Sequence, residues 1–412
     1  MRGATIIFFG VLAVAACGPI DQSGSPALGA SDAGSAFDGG VIGTGGGVAD
    51  AGVASGGGVS DAGVATGGGG AADAGVASGG GSPDAGAAAS PCDGVLPAAL
   101  GAGQSATLAH RGGDVCWYFT SDLAGNVAGE SHPGSQGDDF SGAWQIYTAG
   151  GAPRGSFAGV AGDVHGQNPG FESTQRSGAS ALLLFGADGR ALRSTPLDQG
   201  GCRAQASPSA VGGSLVLDGC NGAVSAWRFD AQGNAIVTVQ LGKIPSVAGV
   251  TDARGQTLLV VAPGSAVGVK SDRAARWYDA RLAPLTPFFA APGGSGNALV
   301  RPLVGGGAAL QVGGVWAGVS QGGAASFDAP PAWLAAHRNY DLEIIRGGKA
   351  YAFVPRSGAS PHDTLDLFSA SGASCGSVAF PAEGLSVGPD GTVIGTGGAG
   401  GCDMSWWSAL LK

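Results

Sequence analysis

The sequence predicts an all-β fold for residues 92–412, built from repeated units of several short strands. Apolar runs of four to six residues recur through this part, and clusters of Gly, Asp, Ser and Pro separate them. No convincing amphipathic helix interrupts the runs, although residues 331–338 favour one or two helical turns. The strand-like runs include Ala181–Phe185, Thr257–Val261 and Ala350–Val354.

Composition excludes several classes of protein. Of 412 residues 82 are Gly, only 12% are charged, and the formal net charge is −10. Binding of nucleic acid through a basic surface is excluded, because neutralising phosphates needs clustered Lys and Arg. Collagen is excluded because Gly is not every third residue, and a coiled coil because heptads are absent.

Residues 1–16 are predicted to be a secretory signal. A positively charged start, Met1–Gly3, precedes an apolar run that ends at Ala16 and is too short to span a bilayer. The sequence Val-Ala-Ala-Cys that ends at Cys17 resembles the lipobox of bacterial lipoproteins. The resemblance implies cleavage before Cys17, acylation of that residue, and an anchor in the lipid bilayer. In enterobacterial lipoproteins an Asp directly after the acylated Cys retains the protein in the inner membrane, so Gly18 at this position points to the outer membrane. The alternative is an ordinary signal peptide with an incidental Cys.

Residues 17–91 are predicted to be a disordered, low-complexity tether rich in Gly, Ala and Asp. Between Ser23 and Ser90 there is no Lys or Arg, and Phe37 is the one aromatic residue. A Gly-rich unit with one Asp recurs every 11 or 12 residues, at Asp50, Asp61, Asp73 and Asp84. A calcium-binding β-roll is the alternative, but its period is nine and it needs large apolar residues where this unit has Gly. Such a coil would reach on the order of 50 Å from the membrane.

A loose repeat organises the strands of residues 92–412. An aromatic residue ends a strand and a Gly follows four residues later, as in Phe229 and Gly233. This Gly is expected in the turn between the two outer strands of a unit, where a positive φ is needed. Leu282 stands where one unit would have the Gly. The aromatic positions are Tyr147, Phe185, Phe229, Tyr278, Phe327, Phe368 and Trp407.

Spacings of 38 to 49 residues between these positions are typical of a β-propeller of seven four-stranded blades. The segment resembles the divergent blades of bacterial seven-bladed propellers. A pair of irregular β-sandwiches and a β-helix are the alternatives. The last unit is one strand short, so we expect a strand near Gln104–Leu108 to complete it and close the ring.

Six cysteines remain besides Cys17, and an even number in an exported domain predicts disulfides. Pairing between neighbours in the sequence predicts Cys92–Cys116, Cys202–Cys220 and Cys375–Cys402. Zinc is the alternative, but the spacing of Cys and His does not favour a metal site. No cofactor is expected.

Two polar patches are the candidates for a ligand loop. His132, Asp138 and Asp139 lie in one segment, and Asp163 and His165 in another. Carboxylates beside a histidine suit sugar chemistry or a metal, but solvated turn residues are the alternative interpretation. Two Gly-x-Ser-x-Gly matches are expected by chance in so Gly-rich a chain, and neither precedes a helix.

The sequence therefore favours a non-enzymatic lipoprotein of the outer membrane, whose propeller binds or scaffolds an unknown protein or polysaccharide. The alternatives are an envelope enzyme acting on carbohydrate or peptidoglycan, and a structural lipoprotein of the surface layer. Two or more of Asp138, Asp139, Asp163 and His165 in one axial pocket would favour the enzyme. Fold alone does not choose between them.

Overall fold

The structure is a computed structural model. It describes residues 90–408, apart from 96–99, 117, 135–140, 161–163, 168–169, 176–179, 198–202, 210–211, 221–222, 346–349, 357–362 and 398–400. The predicted signal and nearly all of the predicted tether lie outside this range. So do parts of several loops, including Asp138, Asp139 and Asp163.

The described residues form seven antiparallel sheets, which are the predicted blades. The chain enters through β1, Gln104–Thr107. Blade 1 contains β2 Asp114–Val115, β3 Phe119–Ser121, β4 Val127–Pro133, β5 Ser141–Tyr147 and β6 Pro153–Val160. Blade 2 contains β7 Val164–Gln167, β8 Gly170–Gln175, β9 Ala181–Phe185 and β10 Ala191–Pro196. Blade 3 contains β11 Arg203–Pro208, β12 Ser214–Cys220, β13 Ala223–Phe229 and β14 Ala235–Gly242.

The second half of the ring follows the same pattern. Blade 4 contains β15 Ser246–Thr251, β16 Thr257–Ala262, a 3₁₀ helix at Gly264–Val267, β17 Arg273–Tyr278 and β18 Phe289–Ala291. Blade 5 contains β19 Ala298–Pro302, β20 Ala308–Val312 and β21 Val315–Ser320, followed by α1 Ala332–Ala335. Blade 6 contains β22 Tyr340–Ile345, β23 Ala350–Pro355, β24 Thr364–Ser369 and β25 Ser374–Ala379. Blade 7 contains β26 Glu383–Val387, β27 Val393–Thr396 and β28 Asp403–Trp407.

The ring closes as the sequence predicts. β1 pairs antiparallel with β28, from Gln104 opposite Trp406 to Thr107 opposite Asp403, and becomes the outer strand of blade 7. Blade 7 therefore takes its fourth strand from the N-terminal side of the domain. This pairing covers an edge of β28 that would otherwise be exposed.

The cores lie between neighbouring blades, because each sheet has two apolar faces that need cover. The core between blades 4 and 5 buries Trp277, Val260 and Leu310. The core between blades 1 and 7 buries Phe119, Ile394 and further side chains that include Met404 and Trp406. Polar ties add to this packing, since the Asp252 carboxylate in blade 4 accepts a hydrogen bond of 2.7 Å from the backbone N–H of Gly307 in blade 5.

The outer hairpins use the turn that the repeat predicts. In blade 3 the N–H of Gly233 donates to the carbonyl of Asp230, and Gly233 has a φ of +71°. In blade 4 Leu282 makes the same bond to Asp279 with a φ of +55°. The side chain of Leu282 is buried in the core between blades 3 and 4, which offsets part of the strain of this left-handed conformation.

Blade 5 departs from the pattern of four full strands. Its fourth position is reduced to one antiparallel bridge, in which Asp328 exchanges backbone hydrogen bonds with Val319. The aromatic residue of this unit, Phe327, therefore lies beside the bridge instead of at the end of the third strand. The two prolines that follow Ala329 explain the departure, because Pro cannot donate to a ladder.

The meander gives the ring two unlike faces. The hairpins that join the first strand to the second and the third to the fourth lie at one end, called here the turn face. The connections between second and third strands and between blades lie at the other end, called the loop face. The first strand of each blade, called the inner strand, runs along the axis toward the turn face.

Candidate functional site

A cavity of about 310 Å³ lies on the axis of the ring, and residues of all seven blades line it. We call it the central cavity. Its lining comes largely from the later part of each inner strand and from the turn that follows, so the cavity opens at the turn face. Leu123 and Ala253 lie at this opening and are exposed. The apolar wall includes Tyr118, Phe119, Trp144, Val250, Val300 and Leu342.

A histidine and two side chains of opposite charge interrupt this apolar wall. His165 comes from β7 in blade 2, Arg301 from β19 in blade 5, and Glu343 from β22 in blade 6. His165 and Glu343 therefore come from nearly opposite sides of the ring. A mostly apolar pocket with a few convergent polar groups is the usual form of a ligand site.

Arg301 is held by a carboxylate behind the wall. Its Nε lies 2.8 Å from Oδ1 of Asp341, and its Nη2 lies 2.7 Å from Oδ2. Nη2 of Arg356 lies 3.1 Å from the same Oδ2. Asp341 is buried, and burial alone would raise its pKa; the charges of Arg301 and Arg356 outweigh this and lower the pKa to about 2. Asp341 thus stays ionised and fixes the guanidinium at the cavity wall.

Glu343 is in a different electrostatic position on the same strand. Burial among the atoms of the cavity raises its pKa to about 7, and the nearby Asp341 charge acts in the same direction. The Arg301 guanidinium, whose Nη2 lies 3.9 Å from Oε1 of Glu343, opposes the rise, and His165 opposes it more weakly. Solvent reaches 31% of the side chain through the cavity. Glu343 therefore gains and loses a proton near neutral pH.

His165 points one ring nitrogen at the neighbouring blade. Its Nε2 lies 3.0 Å from the carbonyl oxygen of Ala206 in β11. A carbonyl oxygen only accepts, so Nε2 carries the proton and donates this hydrogen bond. His165 is the one residue of the predicted ligand loops that the described structure places in the central cavity.

The other predicted loop residues do not join it there. His132 was predicted on a loop, and this is wrong: it lies in β4, buried, opposite Val115 of β2. Its Nδ1 lies 2.8 Å from both carboxylate oxygens of the buried Glu130. The strand continues through these polar residues because the imidazole and the carboxylate are hydrogen-bonded to each other inside it. Asp138, Asp139 and Asp163 lie outside the described residues.

The disulfides of the structure join different partners from those predicted. Cys92 is bonded to Cys375, and Cys116 to Cys402. The predicted pairs Cys92–Cys116 and Cys375–Cys402 are wrong, because ring closure brings the two ends of the domain together. The predicted pair Cys202–Cys220 falls on side chains outside the described ones.

Within the residues that the structure describes, no group of three or more His, Cys, Asp or Glu side chains is placed to hold a metal ion. In the same part of the chain no helix is long and apolar enough to cross a membrane.

Sequence reasoning missed Arg301, Asp341 and Glu343. They lie on inner strands, whereas the repeat marks the outer hairpins. A usable signal exists in hindsight: Leu-Val-Arg-Pro-Leu at 299–303 and Tyr-Asp-Leu-Glu-Ile at 340–344 each place charges inside a strand-like run. In a chain with so few charges, opposite signs inside two apolar strands favour a paired, inward-facing position.

No protein-family model and no curated protein matches the chain. Solved structures resemble it at low identity. The propeller of Dos1 is 11% identical over 71% of this chain and 78% of that chain, with a TM-score of 0.41. A protein of unknown function from Bacteroides caccae is 11% identical over 60% and 92%, with a TM-score of 0.38. A protein from Lactobacillus plantarum is 13% identical over 62% and 82%, with a TM-score of 0.40.

Proposed function

We propose that the chain is an outer-membrane lipoprotein whose tethered β-propeller binds or scaffolds an envelope or extracellular partner. Acylated Cys17 would hold it in the bilayer, and residues 17–91 would carry the domain clear of the lipid. The disulfides support an oxidising compartment outside the cytoplasm. The signal features of residues 1–17 support the anchor.

The central cavity carries the binding part of the proposal. Its apolar wall favours an apolar group of the partner, and Arg301, Glu343 and His165 offer both hydrogen-bond donors and an acceptor. Leu123 is 50% exposed at the opening, where an entering group would contact it first. We expect a protein side chain or a sugar to enter from the turn face.

The enzymatic alternative has less support. Glycoside hydrolysis ordinarily needs two carboxyl groups on either side of the scissile bond. Among the described residues that line the central cavity, Glu343 is the one carboxylate. Of the four discriminating residues His165 lies there, and Asp138, Asp139 and Asp163 fall outside the described residues.

Photo-crosslinking in intact cells tests the binding site. A benzoylphenylalanine is placed at Leu123, at the opening, or at Ile236, which is 51% exposed on the outer strand of blade 3. We expect a crosslinked partner from Leu123 and none from Ile236. Equal crosslinking from both positions would overturn the assignment to the central cavity.

A matched pair of variants sharpens this test. Ala253 and Ala231 each follow the Asp of the same type of turn and are exposed, but Ala253 lines the opening of the cavity and Ala231 lies in an outer hairpin. Ala253→Trp should block the crosslink from Leu123, whereas Ala231→Trp should leave it unchanged. A crosslink that survives Ala253→Trp would contradict entry through this opening.

Proteinase K treatment of intact cells tests the location. This broad protease is needed because the tether has almost no aromatic residues and no Lys or Arg between 23 and 90. Release of the domain from unbroken cells means that it faces outward and that its partners are extracellular. Resistance until the outer membrane is permeabilised places it in the periplasm. Loss of membrane association in a Cys17→Ser variant is expected in both cases, and unchanged association would refute the lipid anchor.

A further inference from the structure

Arg273, at the start of β17, is a buried cation that forms no ion pair with any of the described residues. The residue is 6% exposed. Its Nη1 donates to the carbonyl of Gly294 at 2.9 Å, and its Nη2 donates to that of Gly296 at 2.6 Å. Its Nε is shielded from solvent and has no hydrogen-bond partner. Buried Arg is rare unless paired, so this arrangement calls for an explanation.

The nearby acidic residue does not supply the missing charge. Asp272 precedes Arg273 in the chain but is exposed, and its carboxylate lies close to Gly293. No carboxylate of the described residues forms an ion pair with Arg273, whereas the half-buried Arg356 faces Asp341 at 3.1 Å. Two carbonyl dipoles therefore compensate the guanidinium only in part.

Arg273 lines a second cavity, of about 240 Å³, between blades 4 and 5. We call it the blade 4–5 pocket. Its lining comes from the start of β15, the end of β16 and the residues just before β19, so it lies toward the loop face, away from the opening of the central cavity. Ser246 and Asn297 contribute polar side chains, and Asn297 is exposed at the rim.

Charge around the pocket favours an anion. The chain has few lysines, and two of them lie on the loops that lead into the pocket: Lys243 stands three residues before Ser246, and Lys270 three residues before Arg273. Both are exposed on the loop face of blades 3 and 4. In a protein with a net charge of −10, such a local excess of positive charge would attract an anionic group.

We propose that the blade 4–5 pocket binds a carboxylate group. Arg has five N–H donors in a planar fork, and two are engaged by Gly294 and Gly296. Each Nη nitrogen keeps one N–H that can donate to a carboxylate oxygen, and the Ser246 hydroxyl and Asn297 amide can donate as well. The carboxylate could belong to the C-terminus of a peptide or to an acidic sugar.

The experiment is an NMR titration of the Arg side-chain Nε resonances in the folded domain, with succinate as the first probe. We expect a saturable shift of the Arg273 resonance. The peptide source is then tested with triglycine against its C-terminal amide, and the sugar source with galacturonate against galactose. Binding by one member of a pair and not its neutral counterpart identifies the source.

Two variants of equal charge separate binding from stability. Asn297→Asp places a carboxylate at the rim and leaves the Arg273 bonds to Gly294 and Gly296 in place; we expect succinate affinity to fall at least tenfold. Gln232→Glu adds the same charge to an exposed turn at the turn face and should leave affinity unchanged. Thermal unfolding of both variants confirms that they are folded. A shift that does not saturate, equal affinity in the two variants, or binding of phosphate but not of succinate would overturn the proposal.

Discussion

The interface between blades 7 and 1 and the interface between blades 4 and 5 join similar sheets by different means. Between blades 4 and 5 the chain passes directly from β18 to β19, and packing around Trp277 is supported by hydrogen bonds. At the closure between blades 7 and 1, β1 is borrowed by blade 7 and the Cys116–Cys402 disulfide spans the interface. Covalent reinforcement is thus placed where the two ends of the domain meet.

The largest expected effect comes from removing the disulfide at this closure. With Cys92–Cys375 intact, the second bridge closes a loop made of the 24 residues from Cys92 to Cys116 and the 27 from Cys375 to Cys402. A loop of about 50 residues corresponds to about 4 kcal/mol in the chain-entropy model. The double variant Cys116→Ser with Cys402→Ser should lose this much stability in urea unfolding. A loss below about 1 kcal/mol would mean that β1 pairing alone closes the ring.

The next effect concerns the tie between blades 5 and 6. Asp341→Asn leaves Arg301 and Arg356 without their shared carboxylate, which should cost about 3 kcal/mol. Because the pKa of Asp341 is lowered from 3.8 to about 2, its contribution is present above pH 4 and is lost as the pH falls toward 2. The wild type should lose stability as the pH falls over this range, and the variant should lose less. Asp328→Asn, at an exposed side chain, is the control.

A smaller effect is expected at the interface between blades 4 and 5. The indole N–H of Trp277 donates to the hydroxyl of Ser320 at 2.9 Å, and both residues are buried. Ser320→Ala should cost about 1–2 kcal/mol, because the N–H is left without an acceptor. Ser326→Ala, at an exposed serine nearby, should change little. If Ser320→Ala lowers the free energy of unfolding as much as removal of the Cys116–Cys402 disulfide does, the two interfaces are not stabilised as differently as we infer.

The smallest effect is a pH dependence at the central cavity. The pKa of Glu343 is raised from 4.5 to about 7, so the folded state favours its neutral form. Its contribution is present below pH 4.5 and is lost as the pH rises through 7. Between pH 6 and pH 8 we expect the Tm of the wild type to fall by about 2 °C relative to Glu343→Gln. Glu383→Gln, at an exposed carboxylate, should follow the wild type; identical profiles for wild type and Glu343→Gln would contradict the assignment.

The repeat predicted the fold because it lies in the hairpins, where the backbone restricts the choice of residue. Gly233 follows this rule, because Gly adopts the positive φ of the turn without strain. Leu282 is the exception: the same left-handed turn forms there without Gly, stabilised by the buried side chain. Ring closure by β1 was predicted from the missing strand of the last blade. That closure already brings Cys116 toward Cys402, so the predicted pairs Cys92–Cys116 and Cys375–Cys402 were wrong for a reason the sequence contained.

The candidate site was less predictable than the fold. His165 was singled out, but Arg301 and Glu343 belong to different blades and meet only through the ring. A cavity on the axis depends on how far seven inner strands approach one another, and no local pattern encodes that distance. His132 was predicted on a loop because the residues around it are polar. It is instead buried beside Glu130, because β4 extends through this polar segment.

The Cys92–Cys375 bridge has a mechanical consequence. Any tension on the chain before Cys92 reaches that residue before it reaches β1. The bridge passes the load to β25 of blade 6, a strand hydrogen-bonded along its length to β24. The hydrogen bonds between β1 and β28 are therefore spared from being pulled apart one by one. If a bound partner pulled on a domain tethered through residues before Cys92, the ring of blades would stay closed.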